Sequence, residues 1–260
     1  MRTRNRMPSY RPWGSTEDGA IEFESLTEDT LEGALNVIRK SFFVLENVCR
    51  GVSLTSEPGA PEELEELCVD AAKDGVSVVA IEVATGEVVG VAFNKIQVLN
   101  SNAEKSAFEE FGENCKHKSS KALVEFMVNV DSRVNLFKHY NTSCVFEIMF
   151  LATLPDKQQR RIGELLVTSS IELAKELKRG KSAKTPLKIN NEKVIHNSDA
   201  IPSLVSAIMT SNFSQKIAAK CGFEVLARVD YSEFYFGGKP YSERIGDEHK
   251  GCILVAKRLA

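Results

Sequence analysis

The stretch that most constrains this chain is FEIMFLATLPDKQQRRIGELLVTSSIELAKEL, Phe146 to Leu177. Its first half is the tail of CVFEIMFLAT, the most apolar strand pattern in the sequence, and such a run belongs in the middle of a sheet with both faces covered. Pro155 ends the strand because it cannot donate to a ladder. After a loop rich in Gln and Arg the apolar spacing changes to that of a helix. Four backbone N–H groups at a helix start lack intrahelical partners, and the helix dipole there favours negative charge. Arg160 and Arg161 add full positive charge, and Gly163 removes a Cβ from the approach. The residue types therefore describe an anion site, most naturally for phosphate or pyrophosphate. A basic helix start bridged to nearby acids is the plainer alternative. Neither the full G-x-x-x-x-G-K-S/T pattern nor G-x-G-x-x-G occurs, so the usual nucleotide loops are excluded.

Around this unit the chain alternates between periods of two and of 3.6. AIEFESL, Ala20 to Leu26, predicts a strand. A helix follows, capped by Thr27 or Thr30, with Leu31, Ala34, Leu35, Ile38 and Phe42 on one face. A loop leads to a second helix near Pro61, with Leu64, Leu67, Cys68 and Ala71 inward. VSVVAIEVATGEVVGVAFNKIQVL predicts a hairpin turning at Thr85-Gly86. Helices are expected around Ala103–Phe111 and Lys121–Tyr140, and a mobile loop over Gly180–Asp199. PSLVSAIM reads as a strand, NFSQKIAAKCGF as a helix ended by Gly222, and EVLARVDYSEFYF and GCILVAKRL as closing strands. With no internal repeat and no linker, one mixed α/β domain over 20–260 is expected behind a disordered leader over 1–19.

The 260 residues carry a net charge of −3, which argues against a protein that coats nucleic acid. No apolar run reaches the roughly 18 residues of a bilayer span. Six cysteines lie far apart with no C-x-x-C pair, so reduced packed thiols, no metal and a cytoplasmic location are expected.

ATLPDKQQRRIGELL resembles the coenzyme A pyrophosphate loop of the GCN5-related N-acetyltransferases, Q/R-x-x-G-x-G/A. Gln158 takes the first position, Arg161 that of the first glycine and Gly163 that of the second. RKSFFVLENV, TSNFSQKIAAKCGF and FGGKPYSERIGDEHKGCILVAKRL resemble segments of the insect arylalkylamine N-acetyltransferase-like enzymes, and the likeness runs from Ala20 to Leu259. It implies the α/β fold of that superfamily: a mixed sheet of about seven strands flanked by helices, with the central strands splayed. It further implies acetyl-CoA as cosubstrate and a small primary amine, of arylalkylamine or polyamine/agmatine type, as acceptor. Phe150, Leu151, Ala152 and Thr153 would offer the strand edge to the thioester arm. Gln158, Gln159, Arg160, Arg161, Ile162, Gly163 and Glu164 would hold the pyrophosphate, with Ser211, Ser214 and Lys220 also facing the coenzyme.

Acetyl transfer needs a neutral amine, yet an amine of pKa near 10 is almost wholly protonated at neutral pH, so a base is required. By the resemblance Glu46 is that base, although Asn47 stands where the family has proline. The superfamily's tyrosine acid is replaced by Ala218, and hydroxyl roles pass to Thr210 and Ser214. The alternative for Ser214 is a helix cap, a place that Ser211 or Asn212 could also take. His249 is a proton relay or a surface histidine. Phe42, Phe43, Tyr231, Phe234 and Tyr235 are amine-pocket walls or core. A monomer without nucleic-acid or membrane partners is expected. Two other functions stay open: a coenzyme A sensor without turnover, motivated by Arg161 and Ala218, and a protein lysine acetyltransferase.

Overall fold

In the computed structural model, residues 12–100, 105–189 and 192–260 are described. Eight strands form one sheet: β1 (Pro12–Ser15), β2 (Ile21–Ser25), β3 (Val78–Glu82), β4 (Val88–Val98), β5 (Cys144–Thr153), β6 (Leu204–Met209), β7 (Glu224–Asp230) and β8 (Gly251–Arg258). Their order is β1-β2-β3-β4-β5-β6-β8-β7. The sheet has one strand more than expected. That strand is β1, which pairs antiparallel with β2 and lies inside the segment read as a leader. Trp13 anchors it, its indole N–H donating to Ser25 Oγ at 2.9 Å. Residues 1–11 of the expected leader lie outside the described residues.

Nine α-helices of five residues or more accompany the sheet among the described residues: α1 (Glu28–Val37), α2 (Asn47–Gly51), α3 (Ala60–Ala72), α4 (Ala107–Asn114), α5 (Lys118–Asp131), α6 (Leu136–Tyr140), α7 (Ile162–Lys178), α8 (Asn212–Lys220) and α9 (Tyr241–Ile245). Thr27 is the cap position of α1, and its N–H donates to Thr30 Oγ1 at 2.9 Å. The long helix expected over Lys121–Tyr140 is two, because Asn135 restarts the chain by accepting the Lys138 N–H at 2.9 Å. Within the segment expected to be a mobile loop, Leu187–Ile189 pairs antiparallel with Glu192–Val194. The strand predicted over EVLARVDYSEFYF ends at Asp230. A 3-10 turn over Tyr231–Glu233 then leads to a two-residue ribbon.

All sheet pairs are antiparallel except β5 with β6, and the crossover that parallel pairing demands is supplied by α7. β5 is central as its composition predicts, with Phe146 at 0% exposure and Phe93 of β4 equally enclosed. Burying each ring contributes about 1.5–3 kcal/mol. Helix α7 lies close on β4 at Gly90, where a Cβ would come within 3.0 Å of Ile162 Cγ2. No helix of the described residues is long and apolar enough to cross a membrane.

Candidate active site

Two irregularities open the centre of the sheet. On the β4 side the pairing passes from Phe93↔Phe150 to Asn94↔Ile148, so β5 carries an extra residue at Met149. Such a bulge bends a strand and increases its twist. On the other side the β5–β6 ladder has four pairs and ends at Ile148↔Ala207. Beyond the bulge the two strands diverge, and residues 149–153 of β5 have no partner on that edge. A cleft of about 980 Å³ occupies the wedge.

α7 opens onto this cleft. Arg161 occupies its cap position at φ 57°, ψ 17°, the left-handed conformation, and no side chain caps the helix. This explains the family's glycine at that position, since a non-glycine residue is strained there by about 1–2 kcal/mol. The Arg161 side chain points to solvent and lies 2.5 Å from Glu164 Oε1. Lys220 Nζ lies 3.1 Å from the other Glu164 oxygen. Arg161 first, then Lys220, hold the Glu164 carboxyl below its usual range. Arg161, Gly163 and Glu164 line the cleft, as do Phe150, Leu151, Ala152 and Thr153. Ile162 does not: it is fully buried against Gly90. Lys220 reaches the helix mouth only through Glu164. The side chains of Gln158, Gln159 and Arg160 lie outside the described residues.

A π turn, Ile38–Phe42, interrupts the first helix and sets the second wall. Ser41 Oγ donates to Thr153 O at 2.7 Å, tying this turn to the end of β5. Phe42 packs edge-on against Phe150 at 5.3 Å. Of the five aromatic wall candidates only Phe42 lines the cleft. Tyr231 and Phe43 are core, Phe234 packs on Phe126, and Tyr235 is exposed.

Glu46 follows this turn and lines the cleft. Its Oε2 accepts the Cys49 N–H at 2.8 Å and so caps α2. Its Oε1 is enclosed and has no hydrogen-bond partner among the described residues. An enclosed carboxylate oxygen without a donor costs free energy. Asn47, in the family's proline position, donates from Nδ2 to Thr210 O at 2.7 Å, a bond proline could not make. Tyr231 donates its hydroxyl to the same carbonyl at 2.5 Å. Burial first, and the Glu46 charge second, push the Tyr231 hydroxyl far above its usual range.

Thr210, Ser211, Ser214 and His249 all line the cleft. Ser211 is the cap of α8: its Oγ accepts the Ser214 N–H at 3.1 Å, while Ser214 Oγ accepts the Ser211 N–H at 3.1 Å. Both hydroxyls are thus engaged in a reciprocal cap. His249 is no surface residue: it is 6% exposed, and its Nδ1 accepts the Asn212 N–H at 3.2 Å. Its remaining proton is therefore on Nε2. Ala218 is buried, so no phenol replaces the missing tyrosine there.

The residue that sequence reasoning missed is Glu147. It lines the cleft from β5, immediately before the strands part. The available signal was its being the sole charge in CVFEIMFLAT, in a strand already recognised as central. The described cysteines form no disulfide, and no cluster of three or more His, Cys, Asp or Glu able to hold a metal exists among the described residues.

No protein-family profile matches the chain, and no curated protein matches it. Solved structures do. Arylalkylamine N-acetyltransferase 2 from Aedes aegypti is similar at 24% identity and a TM-score of 0.73, over 92% of this chain and 99% of that one. Mosquito arylalkylamine N-acetyltransferase-like 5b follows at 17% and 0.71, over 92% and 100%. A Drosophila melanogaster polyamine N-acetyltransferase that forms N-acetylagmatine is similar at 14% and 0.69, again over 92% and 100%. The fold is thus that of the GCN5-related N-acetyltransferases.

Proposed function

We propose that the protein is an acyl-coenzyme A:amine N-acyltransferase that moves acetyl from acetyl-CoA to a small primary amine, with Glu46 as general base. One observation carries the reading: the enclosed, unpartnered Oε1 of Glu46 lies in the cleft that also holds the uncapped mouth of α7 and the released edge of β5. Each feature answers a need of the reaction. Backbone amides at a helix mouth suit a pyrophosphate, and a free strand edge suits an amide-bearing arm. Glu46 suits an ammonium that must lose its proton. The names of the structures with this fold, arylalkylamine and polyamine N-acetyltransferases, support a small amine as acceptor.

Acetyl-CoA, as cosubstrate, supplies the thioester. Glu46 accepts one proton from the ammonium and passes it to solvent. The freed nitrogen lone pair forms the C–N bond, the C–S bond breaks, and the second nitrogen proton ends on the departing sulfur. His249, with its proton on Nε2 and its ring in the cleft wall, is proposed to donate a hydrogen bond to the departing sulfur. No covalent enzyme intermediate is required. Burial pushes the Cys144 thiol up to about 11, far from a ready nucleophile.

Thiol release from acetyl-CoA over a panel of amines tests this, with Glu46→Ala beside the wild type and coenzyme A binding measured on both. Turnover with one amine class, reduced at least tenfold in the variant at unchanged coenzyme affinity, is expected. Unaffected turnover would remove Glu46 from the mechanism. Coenzyme binding with no amine turned over would instead make the protein a sensor, and activity confined to peptide lysines would make it a protein acetyltransferase.

A further inference from the structure

Away from Glu46 the cleft contains acids that the transfer chemistry leaves unused. Glu147 pairs across β5–β6 with Ser206, and its Oε2 accepts a hydrogen bond from Gln97 Nε2 of β4 at 2.8 Å. Asp131, the last residue of α5, lines the same cleft, as does Glu109 of α4. Glu109 is occupied by the Ser106 cap at 2.7 Å. The nearest lysine, Lys95, is held by Asp70 at 2.9 Å and by Asp74 at 3.4 Å. Arg161, which also lines the cleft, is held by Glu164. Arg50 lines the cleft as well, yet among the described residues no lysine or arginine comes within 4.0 Å of Glu147 or Asp131.

The electrostatics record the missing cation. Burial, then Asp131, push the Glu147 carboxyl up to about 7, and burial, then Glu109, push Asp131 up to about 6. A buried carboxyl raised by a neighbouring carboxylate, with no cation in ion-pair range, forms a receptor for positive charge. Along β6, between Ser206 beside Glu147 and Thr210 beside Asn47, the cleft wall is apolar, with Ala207, Ile208 and Met209. The two acidic ends are well separated. Asn47, next to Glu46, is bonded to Thr210, four residues along from Ser206, which at 3.3 Å per residue is roughly 13 Å.

We propose that Glu147 and Asp131 bind a second cationic group of the acceptor, so that the substrate is an aliphatic amine with an ammonium or guanidinium at its far end. This inference rests on the amine-transferase reading above. It draws independent support from the unpartnered Glu46 oxygen at the opposite end of the same cleft. Two acidic termini joined by apolar walls match a molecule with two cations joined by methylenes. An aromatic amine would leave the Glu147 end without a partner.

The test compares putrescine and agmatine with n-butylamine and tyramine, by thiol release and by calorimetric binding in the presence of coenzyme A. The wild type is expected to favour the dications at least tenfold in kcat/KM over n-butylamine, and Glu147→Gln to lower that ratio at least tenfold. Putrescine against agmatine tells whether the far group is ammonium or guanidinium. The pH profile supplies a readout that a structural role would not move. Below about pH 6 both carboxyls are protonated and the receptor is lost, so KM for the dication falls as pH rises from 5.5 to 8 in the wild type, and the fall flattens in Glu147→Gln. Asp131→Asn, at the last residue of α5, repeats the measurement should Glu147→Gln fold poorly. Equal use of n-butylamine or tyramine, with ratios indifferent to both variants, would overturn the inference and leave amine acetylation standing. Dication binding that depends on Glu147, without turnover, would do the reverse.

Discussion

Two helix mouths face the same cleft and are built in opposite ways. α8 is closed: Ser211 and Ser214 satisfy each other's amides, and His249 accepts the Asn212 N–H. α7 is open: its cap position is held by Arg161 in a strained conformation, and no side chain accepts from its first amides. A chain that can write a reciprocal cap, and does so at α8, has left it out at α7. The difference teaches that only one of the two mouths has donors to spare for a negatively charged group.

Filling the open mouth should have the largest effect. Gly163→Asp sets a carboxylate beside the amides of α7, and coenzyme A affinity is expected to fall at least tenfold by isothermal titration. The fold should survive, because an acid suits the first turn of a helix. Undamaged affinity would mean that the open mouth is not the anion site. Next in size, Ser211→Ala breaks the closed mouth. It should lower stability by about 1 kcal/mol, a fall in Tm of roughly 2–4 °C in a thermal scan. If the melt does not move, the reciprocal cap is decorative and the contrast loses half its content. The smallest effect belongs to the strained residue itself. Arg161→Gly should be more stable than Arg161→Ala by about 0.5–1 kcal/mol in urea, the reverse of their helix propensities, because glycine alone adopts positive φ freely.

The contrast also marks how far the sequence could be read. The open mouth was legible, since a strand ended by Pro155 and a helix begun beyond two arginines needs no distant partner to be recognised. The cap at α8 was legible too, as a choice among Ser211, Asn212 and Ser214, because capping is decided within four residues. Lost to the sequence was whatever depends on distant segments. Pro12–Ser15 has too little alternation to declare itself a strand until β2 offers it an edge. His249 stayed between a relay and a surface residue because the Asn212 amide it meets lies 37 positions away. Glu147 announced its oddity but not its purpose, which depends on Gln97 and Asp131 from two other elements.

The sheet's central ladder has a further consequence. β4 and β5 share nine paired positions, β5 and β6 only four. Mechanically this makes two stiff leaves, β1 to β5 and β6 with β8 and β7, sewn together by a short seam. Past the bulge the carbonyl of Thr210 is held from two sides, by the Asn47 side chain and by the phenol of Tyr231 from within the second leaf. A guest lying along the unsewn edge would finish the seam, so for this protein filling the cleft and bracing the sheet are one event.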